Sequence, residues 1–300
     1  MRGLTALILR NMKLYFKDKG MFFTSLITPM ILLVLYGTFL GNVYESSFRS
    51  ALEVAGVTVP DKLIGGCVGG ELISSLLAVS CVTVAFCSNL LMVQDKTTGA
   101  RQDLTITPLK PSTLALSYYL STFFSTLLIC FLATGVCLVY LSHVGWYLTF
   151  NDVAALLQDV ALLALFGTAL ASVINFPLST NGQASAVGTI ISAGYGFVCG
   201  AYMPISSFSS GVQKVIMLLP GTYGTSLLRN HALRGVFEEM KNLSFPEEVI
   251  SAVRDSVDCN IYFFENKVEI PVMYIVLIGA IVIAFGLYVL LNLLAVRRKR

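Results

Sequence analysis

Long uncharged runs alternate with short charged stretches along the whole chain. Gly20 to Tyr44 is 25 residues without a charge, Leu72 to Gln94 is 23 and Ile270 to Val296 is 27. A bilayer core about 30 Å thick needs about 20 apolar residues per helix, so each run predicts one crossing. The run from Pro111 to Asn151 is 41 residues. It has no charged or strongly turn-forming break near its middle, and His143, Trp146 and Tyr147 give its end an interfacial character. One span over about Leu116 to Leu141 is expected, followed by an outer loop. The longest run, Val160 to Gln213, is 54 residues, divided by the Pro, Asn and Gly of the Asn175–Gln183 stretch. It yields spans at about Val153 to Ile174 and Gln183 to Met203. The pattern predicts an all-α membrane protein of one domain, residues 1–300, with six transmembrane helices.

Three segments are neither span nor simple loop. In residues 3–18, Leu4, Leu7, Ile8, Met12 and Tyr15 share one helical face and Arg2, Arg10, Lys13 and Lys17 lie opposite. A basic amphipathic helix beside a span predicts an interfacial helix in the headgroup plane. Residues 94–112 carry charges of alternating sign. Gly99 breaks the segment, and Pro108 and Pro111 stop any helix before the third span. A short helix between such breaks offers a rigid handle to a cytoplasmic partner. Residues 204–269 begin with a stretch in which Lys214 to Arg229 encloses 14 uncharged residues, too few to cross, bracketed by Pro204 and Pro220. That length suits a re-entrant segment between helices 5 and 6. A small extracellular region follows, where Ser244 and Glu247 have capping-box spacing for a short helix.

Composition agrees, with 56% hydrophobic and 12% charged residues, against roughly 25% charged in a soluble domain. Charge is also sorted. With six spans, twelve of the twenty Lys/Arg and only three acids (Asp18, Asp95, Asp103) fall on the side of the two termini. That leaves +9 there and −6 elsewhere, against a net +3, and the positive-inside rule puts both termini in the cytoplasm. The first apolar run is too long for a signal-peptide core and reads as an anchor. No basic stripe suits nucleic acid. The cysteines sit in apolar stretches without metal spacing and read as small buried hydrophobes.

Candidate chemistry is sparse. No catalytic or metal-ligating set is found: there is no HExxH, no GxSxG and no phosphate loop, and His143 and His231 are expected outside, away from any carboxylate cluster. Glu71 and Asp159 are the acids nearest the membrane interior, which makes an ion-coupled secondary transporter the alternative function. Pairing with neighbours is their structural alternative. Asn89, Asn175 and Gln183 read equally as helix-to-helix hydrogen bonds. GxxxG pairs at Gly37/Gly41, Gly65/Gly69, Gly66/Gly70 and Gly196/Gly200 favour spans one, two and five as packing or dimer-forming helices.

Two stretches carry a family resemblance. "QDKTTGARQDLTITPLKPSTLALS" is similar to the loop between the second and third spans of type 2 ABC export permeases, with Gly99, Leu104 and Pro108 in place. Gln94 and Asp95 stand where glutamates are usual, and Ala100 where Thr is expected. "CGAYMPISSFSSGVQKVIMLLPGTYGTSLLRNHALRG" resembles the signature after the fifth span, through Gly200, Pro204, Pro220, Tyr223, Arg229 and Gly235. These permeases are the six-span membrane subunits of bacterial drug, polyketide, peptide and glycolipid exporters. The resemblance implies a multi-pass protein of the bacterial cytoplasmic membrane, with a connecting helix at residues 3–18 and a coupling helix around Lys96, Gly99, Arg101, Leu104 and Pro108. It implies two copies of a separate ATP-binding subunit, which would hold ATP and Mg while this chain holds no cofactor. A second permease chain, identical or related, would pack through spans one, two and five, with Gly37, Gly41, Gly196 and Gly200 on the facing helices. The Gly200, Pro204, Pro220 and Tyr223 segment would form an outer gate. Tyr36, Asn89, Gln183, Ser185 and Tyr195 give the implied route its polar and aromatic texture. A largely apolar route suits a hydrophobic or amphipathic drug, peptide or lipid-like cargo.

Overall fold

The structure is a computed structural model that describes residues 2–42, 45–46, 48–49, 60–264 and 266–297. Val43 and Tyr44, at the predicted end of the first span, and Arg298, Lys299 and Arg300 of the basic tail lie outside the described residues.

Asp18 separates the first two helices. Its carboxylate accepts the Met21 N–H at 3.1 Å and caps α2 (Lys19–Leu35) just after α1 (Arg2–Lys17) ends. The two axes bend by 73° there. α2 continues through a π-helical turn, Tyr36–Leu40, in which the Gly41 N–H reaches back to the Tyr36 carbonyl. Then come α3 (Asp61–Asn89), α4 (Leu91–Thr97), α5 (Ala100–Ile106), α6 (Pro111–Val144), α7 (Phe150–Asn175) and α8 (Asn181–Val198). Most of the Pro111–Asn151 run thus forms the single helix α6, with Pro111 in its first turn where a missing N–H does no harm, and residues 145–149 make the connection to α7. α7 starts on a capping box between Thr149 and Asp152. The remainder comprises α9 (Ser210–Ile216), α10 (Pro220–Asn242), α11 (Glu247–Ser256), an antiparallel hairpin of β1 (Tyr262–Phe263) and β2 (Asn266–Lys267), and α12 (Ile270–Arg297).

By length and composition, four helices among the described residues can cross a membrane: the α3–α4 unit, α6, α7 and α12. The bent α1–α2 pair would make a fifth. α8 has 18 residues and rises about 27 Å, and Asn181, Gln183, Ser185 and Thr189 dilute its apolar character. The chain is therefore an all-α, multi-pass membrane protein.

α3 is the central post. Of its most apolar stretch 94% is buried, against 11% for α12, and it packs on α2, α6, α7, α8 and α10. Its glycines make those approaches possible. Gly66 lies under Tyr147 and Val236, Gly69 under Leu141, and Gly70 under Leu233 and the Ala232 carbonyl. The second span was expected as a packing or dimer-forming helix, and within the chain α3 does the packing. Its GxxxG pairs are consumed inside the monomer.

The segment after α8 also differs from expectation. Following the seven-residue α9, α10 begins deep and runs for 23 residues. Gly224 near its start touches Leu163, thirteen residues into α7 and so roughly 20 Å along it. α10 then climbs α3, placing Arg229 beside Ser75, Leu233 beside Gly70 and Val236 beside Gly66. A stretch that reads as outer loop because of Arg229 and Arg234 is a packed helix, because both cations find carboxylates inside the bundle. α11 forms where expected, but without the Ser244 cap. Ser244 has φ 59° and its N–H closes α10 on the Lys241 carbonyl, while Pro246 starts α11.

Candidate functional site

At one end of the bundle, α5 projects from a braced platform. Asp95 on α4 is 4% exposed and receives both Arg10 guanidinium nitrogens, at 2.5 and 3.1 Å, and the Tyr118 hydroxyl at 2.6 Å. This bidentate, charge-assisted pair joins α1, α4 and α6. Arg10, expected on the polar face of α1, thus turns into the bundle. Lys96 donates to the Phe176 carbonyl and, at 2.8 Å, to the Leu178 carbonyl, in the turn between α7 and α8. Its ammonium lies 5.4 Å from the centre of the Phe176 ring and the Arg101 guanidinium 5.9 Å, so two cations sit at the C-terminal end of α7, where its dipole favours them.

Gly99 (φ 84°) supplies the left-handed turn before α5, which an L side chain adopts only with strain. α5 itself has no buried residue. Leu104 packs part-buried beside the cluster of Leu7, Leu114 and Tyr288. Pro108 is exposed, and Ile106 is 83% exposed. Sequence reasoning missed Ile106, Asp95 and Tyr118. The signal for Asp95 was its place among apolar neighbours one turn from the span.

A groove of about 840 Å³ runs between α2 and α8 over the α3–α4 unit. Ile27, Ile31 and Leu35 line one wall, and Asn181, Ser185, Thr189 and Ser192 line the other. Among the described residues, no charged side chain lines it. Of the residues singled out for the route, Tyr36 and Ser185 line this groove. Tyr36 also donates to the Ala201 carbonyl at 3.0 Å. The other three lie elsewhere. Asn89 bonds Thr122, Ser172 and Asn175 at 3.1–3.2 Å, knotting α3, α6 and α7 together. Gln183 accepts the Ser179 N–H at the start of α8. Tyr195 is buried against Gly221 of α10.

The four glycines assigned to facing helices also have uses within the chain. Gly37 lies in the π-turn that Gly41 closes. Gly196 takes the Tyr202 ring, and Gly200 (φ 72°) makes the turn that ends α8.

That turn is held from inside. Arg229 is 1% exposed. Its guanidinium meets Glu71 Oε1 at 2.6 Å and Asp258 Oδ2 at 3.0 Å, and donates to the Gly200 carbonyl at 2.7 Å and Ser75 Oγ at 3.2 Å. Asp258 in turn accepts the Ile205 N–H, at 2.9 Å to Oδ2. Burial pushes the Asp258 carboxyl above its ordinary value, against the opposing pull of Arg229. Pro204 lies between the two clamped positions. Pro220 starts α10, and Tyr223 donates to the Met217 carbonyl at 2.7 Å. A second cluster corrects the expectation that His231 has no carboxylate neighbour. Asp159 on α7 lies 2.6 Å from His231 Nδ1 on α10 and accepts the Tyr274 hydroxyl of α12 at 2.6 Å. Residues 72 and 115 positions away supply these partners, which no local motif announces.

None of the curated proteins compared with the chain matches it. Residues 2–232 match the sequence pattern of the ABC-2 type transporter family. The match takes in α1, the groove, the α5 platform and α10 through Arg229, so the chain belongs to the ABC-2 type transporters and is a multi-pass membrane transport subunit.

Proposed function

We propose that this chain is the permease of an ATP-driven exporter, with α5 as the coupling helix for a separate ATP-binding subunit. One observation carries the proposal: α5 is a helix with no buried residue, fixed at its base by Arg10, Asp95 and Tyr118 on one side and by Lys96, Arg101 and Phe176 on the other. An exposed helix on a rigid mount passes on a push instead of absorbing it. α2 and α8 complete six spans with both termini in a bacterial cytoplasm, in agreement with the charge sorting. Two ATP-binding subunits closing around ATP and Mg would move the paired platforms of two permease chains. The groove would then open alternately to either side.

The uncharged groove, aliphatic on α2 and hydroxyl-bearing on α8, suits a hydrophobic or amphipathic cargo such as a drug, peptide or lipid-like molecule. Glu71 and Asp159 are both occupied by protein partners, which favours this function over ion-coupled carriage.

The test is co-expression with a candidate ABC-type ATP-binding subunit. Ile106→Asp should cut co-purification and permease-stimulated ATPase activity by about tenfold, the effect of losing one apolar anchor worth about 1.4 kcal/mol. The melting temperature of the permease should stay within about a degree, as expected for a surface change. Unaltered complex formation and ATPase activity in the variant overturn the coupling assignment.

A further inference from the structure

Asp258 lies beyond residue 232, where the family match ends, yet it bonds directly to the turn that closes α8. The Gly200–Ile205 turn is held at two points. Arg229 donates to the Gly200 carbonyl at 2.7 Å, and Asp258 accepts the Ile205 N–H at 2.9 and 3.2 Å. The two clamping side chains are bonded to each other at 3.0 Å. Asp258 itself adopts φ 49°, a left-handed conformation unusual for a residue with a side chain. Its backbone is held by the turn after α11, where the Cys259 and Asn260 N–H groups reach the Arg254 carbonyl. Asp258 thus links the small outer unit of α11 to the end of the groove helix α8. Glu71 pairs with the same arginine from α3 and makes no bond to the turn.

We propose that Asp258 is the positioning residue of the outer gate, a latch that holds the Gly200–Ile205 turn shut through the Ile205 N–H and Arg229. The proposal rests on the assignment of the Gly200–Tyr223 segment as the gate. Moving the turn outward requires both bonds to break together. The state of the outer unit therefore sets how readily α8 is released.

The native cysteines provide the readout. All seven are buried and free. Cys199 and Cys259 adjoin the two halves of the latch and are 1% and 2% exposed, while Cys81 and Cys130 lie in the core at 0%. In the full-length chain, a membrane-impermeant maleimide should label Cys199 and Cys259 about tenfold faster or more in Asp258→Asn, since the amide replaces one of the two acceptor oxygens that serve the Ile205 N–H and Arg229 with a donor. Cys81 and Cys130 should stay unlabelled. Glu71→Gln, which touches the same arginine but not the turn, should change labelling of Cys199 by less than about twofold, having left both turn bonds in place.

No increase in Asp258→Asn, or an equal increase in Glu71→Gln, overturns the latch. If Asp258→Asn exposes Cys81, and so has unfolded, Ile205→Pro decides instead. It removes the bonded N–H, and Pro204, at ψ 143°, already has the extended backbone favoured before a proline. Ile205→Pro must then raise Cys199 labelling, and failure to do so sinks the proposal. The gate assignment is tested separately in the wild-type complex with its ATP-binding subunit. If ATP leaves Cys199 unlabelled while Asp258→Asn exposes it, the latch stands and the turn is not the gate.

Discussion

Arg229 is the most constrained charge in the bundle. It is buried with two carboxylates, Glu71 and Asp258, from opposite sides of the packing. Removing a partner from such an arrangement is more damaging than the pair is stabilising, because the remaining charges keep their desolvation penalty and lose their compensation. Arg229→Met should destabilise the folded chain by about 3–5 kcal/mol. Lys214→Met, at an exposed position, should change stability by no more than about 0.5 kcal/mol. Thermal unfolding in detergent, followed by size-exclusion recovery, measures both. Equal melting temperatures for the two variants would contradict the charge assignment. Glu71 was legible in the sequence as an acid within an apolar run. Its partner was not, because Arg229 closes an uncharged stretch and reads as the start of a loop. Asp258 stands among polar residues with nothing local to mark it as buried.

Among the helices, the sequence distinguishes apolar runs well and their depth in the bundle poorly. α3 and α12 are both long and apolar, yet one is enclosed and the other is the most exposed of the spanning helices. Glycine placement carries the difference only in part. Gly66, Gly69 and Gly70 in α3 meet neighbouring helices, while Gly279 and Gly286 in α12 have nothing within 4 Å of where a Cβ would sit. Both helices would pass a count of small residues, and only the partner's position separates them. α10 shows the opposite failure: its polar composition hides a helix whose charges are all internally matched on the bundle side. The glycines give a direct check. A Cβ at Gly235 would overlap the Tyr147 carbonyl oxygen, a backbone atom that cannot rotate away. Gly235→Ala should therefore lower stability by about 1–3 kcal/mol, the typical penalty for overpacking. Gly279→Ala should be neutral or stabilising by about 1 kcal/mol, since alanine is the better helix former. Melting temperatures moving in the same direction would show that α10 does not approach the α6–α7 connection this closely.

For the whole molecule, a surface suited to lipid differs from one suited to a second chain. Apolar exposure does not separate the two, because a membrane protein shows apolar residues on every lipid face. Phe23 on α2 is 62% exposed, Ile190 on α8 69% and Ile283 on α12 74%. The groove does discriminate. Asn181, Ser185, Thr189 and Ser192 form a hydroxyl and amide wall, in which Thr189 donates to the Ser185 carbonyl, and polar side chains are unfavourable against hydrocarbon. A face with such a wall gains from being enclosed, whereas the exposed aliphatic face of α12, with Ile275, Val282 and Ile283, does not. If the proposed permease pairs with a copy of itself, the α2–α8 side is the face expected to meet that copy, with α3 behind it as the fixed post. Because the native cysteines are all buried, single engineered cysteines report proximity with little background. Oxidation in membranes should convert Ser185→Cys largely to a disulfide-linked dimer and leave Ile283→Cys monomeric. The reverse pattern would put the groove toward lipid. If neither variant cross-links alone, but Ser185→Cys does so with a related permease that carries a cysteine at the matching position, the enclosing chain is a heterologous partner.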